Sequence, residues 1–175
     1  LVPSDHPSVV AAMRGQVMGQ ADLVITVGRK LDFQLAYGSP AIFGQAKFLR
    51  IADHSAELRD NRRGEVELMG HVGQTLQALA DGLAREPGQS DRAWLAGLRE
   101  QHLSRSQKLK TTMAQAPNGT DGRMHPNKVL AAVQDVLPPE AVVVADGGDF
   151  LSFARVGLQS DGYLDPGPLG CIGVG

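Results

Sequence analysis

The sequence has a single cysteine, Cys171, in 175 residues, so neither an intramolecular disulfide nor a cysteine-based zinc site can form within it. A reducing, cytoplasmic setting is the expectation that follows. No apolar run reaches the roughly 18 residues of a membrane span, and the opening stretch LVPSDHP is not a signal peptide. The 17 basic and 19 acidic residues nearly balance, at a net charge of −2. That balance gives no electrostatic reason to expect nucleic acid or an anionic membrane as partner. The one local basic group, Arg59, Arg62 and Arg63, sits among acids and reads as a solvated helix end. The five histidines, at 6, 54, 71, 102 and 125, are dispersed and make no HExxH pair. A GxSxG elbow and a Walker loop are missing too, so those three chemistries have no support in the sequence.

What is present is the composition of a soluble globular protein, 42% hydrophobic and 21% charged, long enough for one large domain or two small ones. PSVVAAMRGQVMGQ places apolar residues at 9, 10, 13, 17 and 18, close to helical spacing. Leu23 to Val27 form a continuous apolar run with β-branched residues, which predicts a strand buried on both faces. AKFLRIAD predicts a second strand, HSAELRDNRR a turn or short helix, EVELMGHV a third strand, and GQTLQALADGLA a helix opening near Gly73. This order points to an open, parallel α/β sheet. At REPGQSD the composition changes to a linker, and Asp91 is placed to cap a long polar helix. After a second linker, AQAPNGTDGR, a new α/β unit follows: a helix with Pro126 early, the strand AVVVADGG and the helix DFLSFARVGL. The domains expected are thus residues 1–86, a helical linker over 87–123, and a further unit over 124–175. A start at Leu1 and a finish in GPLGCIGVG suggest a piece of something longer.

Chemistry is expected where strands end, because open α/β sheets bind ligands at the carboxyl ends of their strands. Gly28 and Arg29 follow the first strand, and Arg29 is placed to hold a phosphate or to serve as a surface charge. Asp53 and His54 follow the second strand, where they suit either a ribose hydroxyl or an ordinary turn. In ADGGDF, Asp146 and Asp149 flank two glycines; such a pair can serve a metal or acid–base chemistry, or Asp149 can simply cap a helix.

HPNKVLAAVQDVLPPEAVVVADGGDF followed by LDPGPLGCIGVG resembles the opening of the pyrophosphate-binding domain of thiamine diphosphate enzymes, in the branch of acetolactate synthase and the 2-hydroxyacyl-CoA lyases. ADLVITVGRKLDF, AKFLRIADHSAEL and ELMGHVGQTLQALADGL resemble the second half of that family's Rossmann-like middle domain. The resemblance implies a thiamine diphosphate and Mg²⁺ enzyme acting on a 2-keto acid or an acyl-CoA, as a homo-oligomeric dimer or tetramer. It implies decarboxylation with carboligation, or cleavage of the 2-hydroxyacyl-CoA or oxalyl-CoA decarboxylase type. A non-catalytic nucleotide- or CoA-binding module is the alternative of another class. By the resemblance, Gly148, Asp149 and Phe150 lie at the diphosphate, the Gly170 carbonyl accepts from the cofactor's amino group, and Cys171 and Ile172 line its pyrimidine. Ile172 takes the place of the apolar wedge that bends the cofactor. No metal ligand falls within the sequence; the Gly-Asp-Gly segment that supplies it is expected beyond Gly175. Gly28 and Arg29 match the edge of a nucleotide site, but Ala52 and His54 stand where the family commonly has acids, which weakens an inherited FAD or ADP site. His71 likewise stands where an Asp often follows the glycine.

Overall fold

The computed structural model describes residues 2, 5–88, 90–138, 140–167 and 171–173. The chain divides into two compact units, Met13–Arg92 and a second made of Leu1–Ala12 with Ala93–Gly175.

The Met13–Arg92 unit runs α1 (Arg14–Gln20), β1 (Leu23–Val27), α2 (Pro40–Phe43), β2 (Lys47–Ala52), α3 (Ser55–Leu58), β3 (Val66–Met69) and α4 (Val72–Arg85). The strands form a parallel sheet in the order β1-β2-β3, with Val24 opposite Phe48 and Leu49 opposite Val66. The α/β class and the parallel sheet are those the sequence predicts. The burial of β1 is not. Val24 packs against the core of Leu31, Phe43, Ala46 and Phe48, while Leu23, Ile25 and Val27 on the opposite face are 50%, 46% and 39% exposed. Among the described residues β1 pairs with β2 alone, and burial on both faces is realised in central β2, where Phe48 and Ile51 are each 1% exposed.

Within β2 stands Arg50, also 1% exposed. A guanidinium so deeply buried needs partners for its charge, and here both terminal nitrogens find them while Nε does not. Its Nη1 donates to Asp60 Oδ1 (2.5 Å) and to the carbonyls of Arg62 (2.6 Å) and Leu58 (3.2 Å), and its Nη2 to the Glu57 carbonyl (2.5 Å). The segment from α3 to β3 is thereby wrapped around one side chain. Asp60 Oδ2 accepts from the Leu31 amide (2.8 Å), and Asn61 Nδ2 donates to the Leu31 carbonyl (2.8 Å), which fastens the loop after β1 to the same hub. Arg62 stacks 4.1 Å from the Phe48 ring centre and donates to the carbonyls of Gly38 and Ala46. The solvated helix end expected of Arg59, Arg62 and Arg63 is therefore wrong for Arg62, which joins two loops to the sheet.

In the second unit, α5 (Arg92–Ala114) precedes α6 (Pro126–Val136), β4 (Val142–Val144), α7 (Asp149–Gly157) and β5 (Gly162–Leu164). β4 and β5 pair in parallel, Val143 opposite Tyr163. Met113 of α5 joins Leu130, Ala145, Leu151 and Ala154 in one core, so the helix expected as a linker packs within this unit. The segment before α1 lies along α5: Arg99 donates to the carbonyls of Val9 (3.0 Å) and Asp5 (3.1 Å), and His102 Nδ1 accepts from the Ala12 amide (3.2 Å). Burial and the charge of Arg99 lower the His102 pKa, which keeps that nitrogen free to accept.

Replacing Arg50 by Met keeps the length and removes every donor, leaving Asp60 and three carbonyls without their partner. Urea unfolding of R50M is expected to show a loss on the order of 3–5 kcal/mol; a loss below about 1 kcal/mol would show that the hub is dispensable. A second expectation concerns acid. Arg63 grips both oxygens of Glu67 (2.6 and 2.5 Å) and holds its pKa down to about 2, from an ordinary 4.5. As pH falls, the unfolded carboxyl takes up its proton first, so this contribution is fully present above 4.5 and is lost as pH approaches about 2. The drop in unfolding midpoint between about pH 5 and about pH 3 should be smaller in E67Q than in the native chain.

Candidate functional site

The carboxyl ends of the three strands in the Met13–Arg92 unit gather the residues expected at a nucleotide edge. The Gly28 amide donates to the Ile51 carbonyl (2.8 Å) and the Gly70 amide to that of Ala52 (3.0 Å), so both ladders finish at one level. Arg29 turns back on its own loop: it pairs with Asp32 (3.1 Å) and donates to Gln34 Oε1 (2.7 Å). Its charge is thus already matched by a carboxylate, and a phosphate at this edge has to compete with Asp32. Asp53 and His54 are both exposed and lie 3.7 Å apart. His71 caps α4, its Nδ1 accepting from the Gln74 amide (3.4 Å) while its carbonyl accepts from Thr75 Oγ1 (3.1 Å). A shallow, open groove lined by Met69, Gly70, His71, Gln74 and Thr75 runs beside it. No group of three metal-ligating side chains comes together among the described residues.

The second unit builds a more specific arrangement at the end of β4. The Ala145 amide donates to the Leu164 carbonyl (2.9 Å), which carries the ladder one residue past the strand. Asp146, Gly147 and Gly148 then turn the chain into α7. Gly148 is the N-cap at φ +82°, a conformation that favours glycine. Asp149 is the first helical residue, so its carboxylate stands at the positive end of the helix. Phe150 is 49% exposed, while Leu151 and Ala154 carry the buried face of α7.

The two glycine turns that lie far apart in the sequence meet here. A Cβ on Gly147 would stand 2.8 Å from Cγ1 of Ile172 and 3.0 Å from the Cys171 carbonyl oxygen, so only glycine allows this approach. Asp146 Oδ1 accepts from the Gly147 amide and Oδ2 from the Gly173 amide, each at 2.7 Å. The segment after β5 is held as well: Arg155 grips Asp165 through two bonds (2.7 and 3.0 Å), and Asp165 accepts from the Gly167 amide (2.7 Å). Hydrogen bonding to Arg155 holds the Asp165 pKa below the ordinary carboxylate range. Cys171 and Ile172 are exposed, Ile172 to 80%. Gly170 lies outside the described residues.

Gly148, Asp149, Phe150, Cys171 and Ile172 are thus brought around one turn, and Gly28 and Arg29 belong to the other unit. A glycine turn at a helix N-terminus suits a diphosphate, through free amides and the helix dipole, and space beside the Gly148 Cα is open. The Asp149 carboxylate opposes an anion at the same spot. Reading the sequence missed β5, the Arg155–Asp165 clasp and the bridging role of Asp146; the only traces of them were Asp165 directly after β5 and Asp146 two residues after β4.

Residues 1–79 match the family model described as thiamine pyrophosphate enzyme, central domain. The whole chain aligns with curated relatives. It is 30% identical to a 2-hydroxyacyl-CoA lyase 2 of Caenorhabditis elegans, 32% to an acetolactate synthase large subunit of Mycobacterium tuberculosis, and 29% to the human 2-hydroxyacyl-CoA lyase 2. All of this chain is covered in each case, and it spans 28%, 31% and 28% of those proteins. Over residues 1–79, and along its whole length through these relatives, the chain is similar to thiamine diphosphate-dependent enzymes. No helix among the described residues is long and apolar enough to cross a membrane.

The close approach at Gly147 gives a direct test of this geometry. In G147A the new methyl group displaces Ile172 and Cys171, and the Gly173 amide loses its hold on Asp146. Hydrogen exchange at Gly173 should quicken while exchange in α7 stays as it was. Unchanged exchange at Gly173 would show that the two turns do not pack together in solution.

Proposed function

We propose that this chain supplies one wall of a thiamine diphosphate site in an acetolactate synthase-like enzyme, which decarboxylates a 2-keto acid and passes the product carbon to an acceptor. The observation that carries the reading is the packing of Ile172 against Gly147 at the end of β4, beside the N-terminus of α7. When bound, thiamine diphosphate supplies an electron sink for the carbanion left by the broken C–C bond. The chain's own contribution is placement. Gly148 and the first turn of α7 would face the diphosphate, Phe150 would flank it, and Cys171 would lie along the pyrimidine. Ile172 would fill the space beneath the cofactor's rings, in the place of the apolar wedge. No group of three metal-ligating side chains stands among the described residues, and an FAD or ADP phosphate at the Arg29 edge would compete with Asp32 for its charge.

The relatives named 2-hydroxyacyl-CoA lyase favour a second reading, in which the same site cleaves a 2-hydroxyacyl-CoA. Supplying the whole protein with thiamine diphosphate and Mg²⁺, then offering pyruvate or a 2-hydroxyacyl-CoA, separates the two. Release of CO₂ from pyruvate supports the first, consumption of the CoA thioester the second. Turnover of neither removes both.

Ile172 provides the test of placement. At 80% exposure its truncation should cost the fold little, within about 0.5 kcal/mol. As the wedge, however, I172A should lower turnover per folded site by more than tenfold, about 1.4 kcal/mol in the barrier. Melting curves recorded beside the kinetics count the folded sites. Normal turnover per folded site ends the wedge assignment.

A further inference from the structure

We propose that Asp146 is a positioning residue that sets where Ile172 stands against the cofactor, by tying the turn at 171–173 to the end of β4; this rests on the thiamine diphosphate reading above. The tie is built from both carboxylate oxygens. Oδ1 accepts from the Gly147 amide in its own turn, and Oδ2 accepts from the Gly173 amide twenty-seven residues onward. Both bonds are 2.7 Å, short for N–H···O and in the range of charge-assisted bonds. The anchor beneath them is firm, since Ala145 is buried and its amide extends the β4–β5 ladder. Ile172 lies between the tied residue and the missing side chain of Gly147, so one contact pulls the turn in and the other gives its side chain room. Asp165 repeats the device at the end of β5, where it accepts from the Gly167 amide while Arg155 holds it. The returning segment is therefore pinned by a carboxylate on either side, one after each strand. Asp146 acts through Ile172 and Gly173 on the cofactor's shape, without touching the reacting atoms.

The experiment uses the whole protein with Asp146→Asn and Asp146→Ala. An amide group accepts through one atom only, so the asparagine keeps one of the two bonds and sets its NH₂ against the other N–H; alanine loses both. Exchange at the Gly173 amide should quicken in both variants, more in D146A. Turnover per folded site should fall at least tenfold in D146A, about 1.4 kcal/mol, and by less in D146N. A purely structural role would lower the folded fraction and leave turnover per folded site intact, which would overturn the proposal. Unchanged exchange at Gly173 would overturn the tie itself. If the native protein takes up no thiamine diphosphate, the underlying reading fails, and Gly173 exchange then decides the tie separately.

Discussion

A buried guanidinium organises the Met13–Arg92 unit. Arg50 sits in the central strand where an aliphatic residue would be the simple choice, and its charge has to be answered by whatever chain surrounds it. The answer is the segment from Glu57 to Arg62, which contributes one carboxylate and three carbonyls. Once that segment is wrapped, Asp60 and Asn61 reach Leu31, and Arg62 reaches Gly38 and Ala46. The loops after β1 and α3 are thereby tied to one strand. Replacing such a hub by a hydrophobe of similar volume need not be costly if all its partners were replaced too, but removing it alone strands them.

The second unit shows the same economy on a smaller scale. Its two short strands pair only over Val142–Val144 and Gly162–Leu164, and each is followed by an aspartate that fixes the next turn. Arg155 on α7 answers Asp165, so helix, strand and returning segment are joined at one ion pair. Glycine serves these turns in two ways: Gly147 leaves room for Ile172 and the Cys171 carbonyl, while Gly148, Gly167 and Gly173 adopt positive φ. That is what a cofactor site requires of its walls, and it explains why GGD and GCIG carry more meaning together than either does alone.

Much of the architecture was legible in the sequence. The apolar runs at Leu23–Val27 and in AKFLRIAD, the helical spacing in GQTLQALADGLA and the early Pro126 each mark an element found in place. β5 was not legible, because GYL has too few residues to show alternation and follows the turn formers Ser160 and Asp161. The exposure of β1 could not be read either: a continuous apolar run gives no sign of whether its strand lies at the centre or the edge of a sheet. Arg50 escaped because a single cation inside an apolar run has no local partner, and Asp60 lies ten residues on. For the candidate site, the glycine turns were legible as separate motifs, while their meeting depended on Asp146 reaching Gly173 across twenty-seven residues. Long-range hydrogen bonds of that kind leave no periodicity behind.

The central claim is that the turn at Gly147 and Ile172 faces thiamine diphosphate. The most direct measurement is a crystal structure of the whole protein grown with thiamine diphosphate and Mg²⁺. The account predicts the cofactor in a bent conformation, with the Ile172 side chain packed between its rings and the diphosphate toward Gly148. Cofactor density elsewhere in the molecule, with Ile172 still open to solvent, would contradict it.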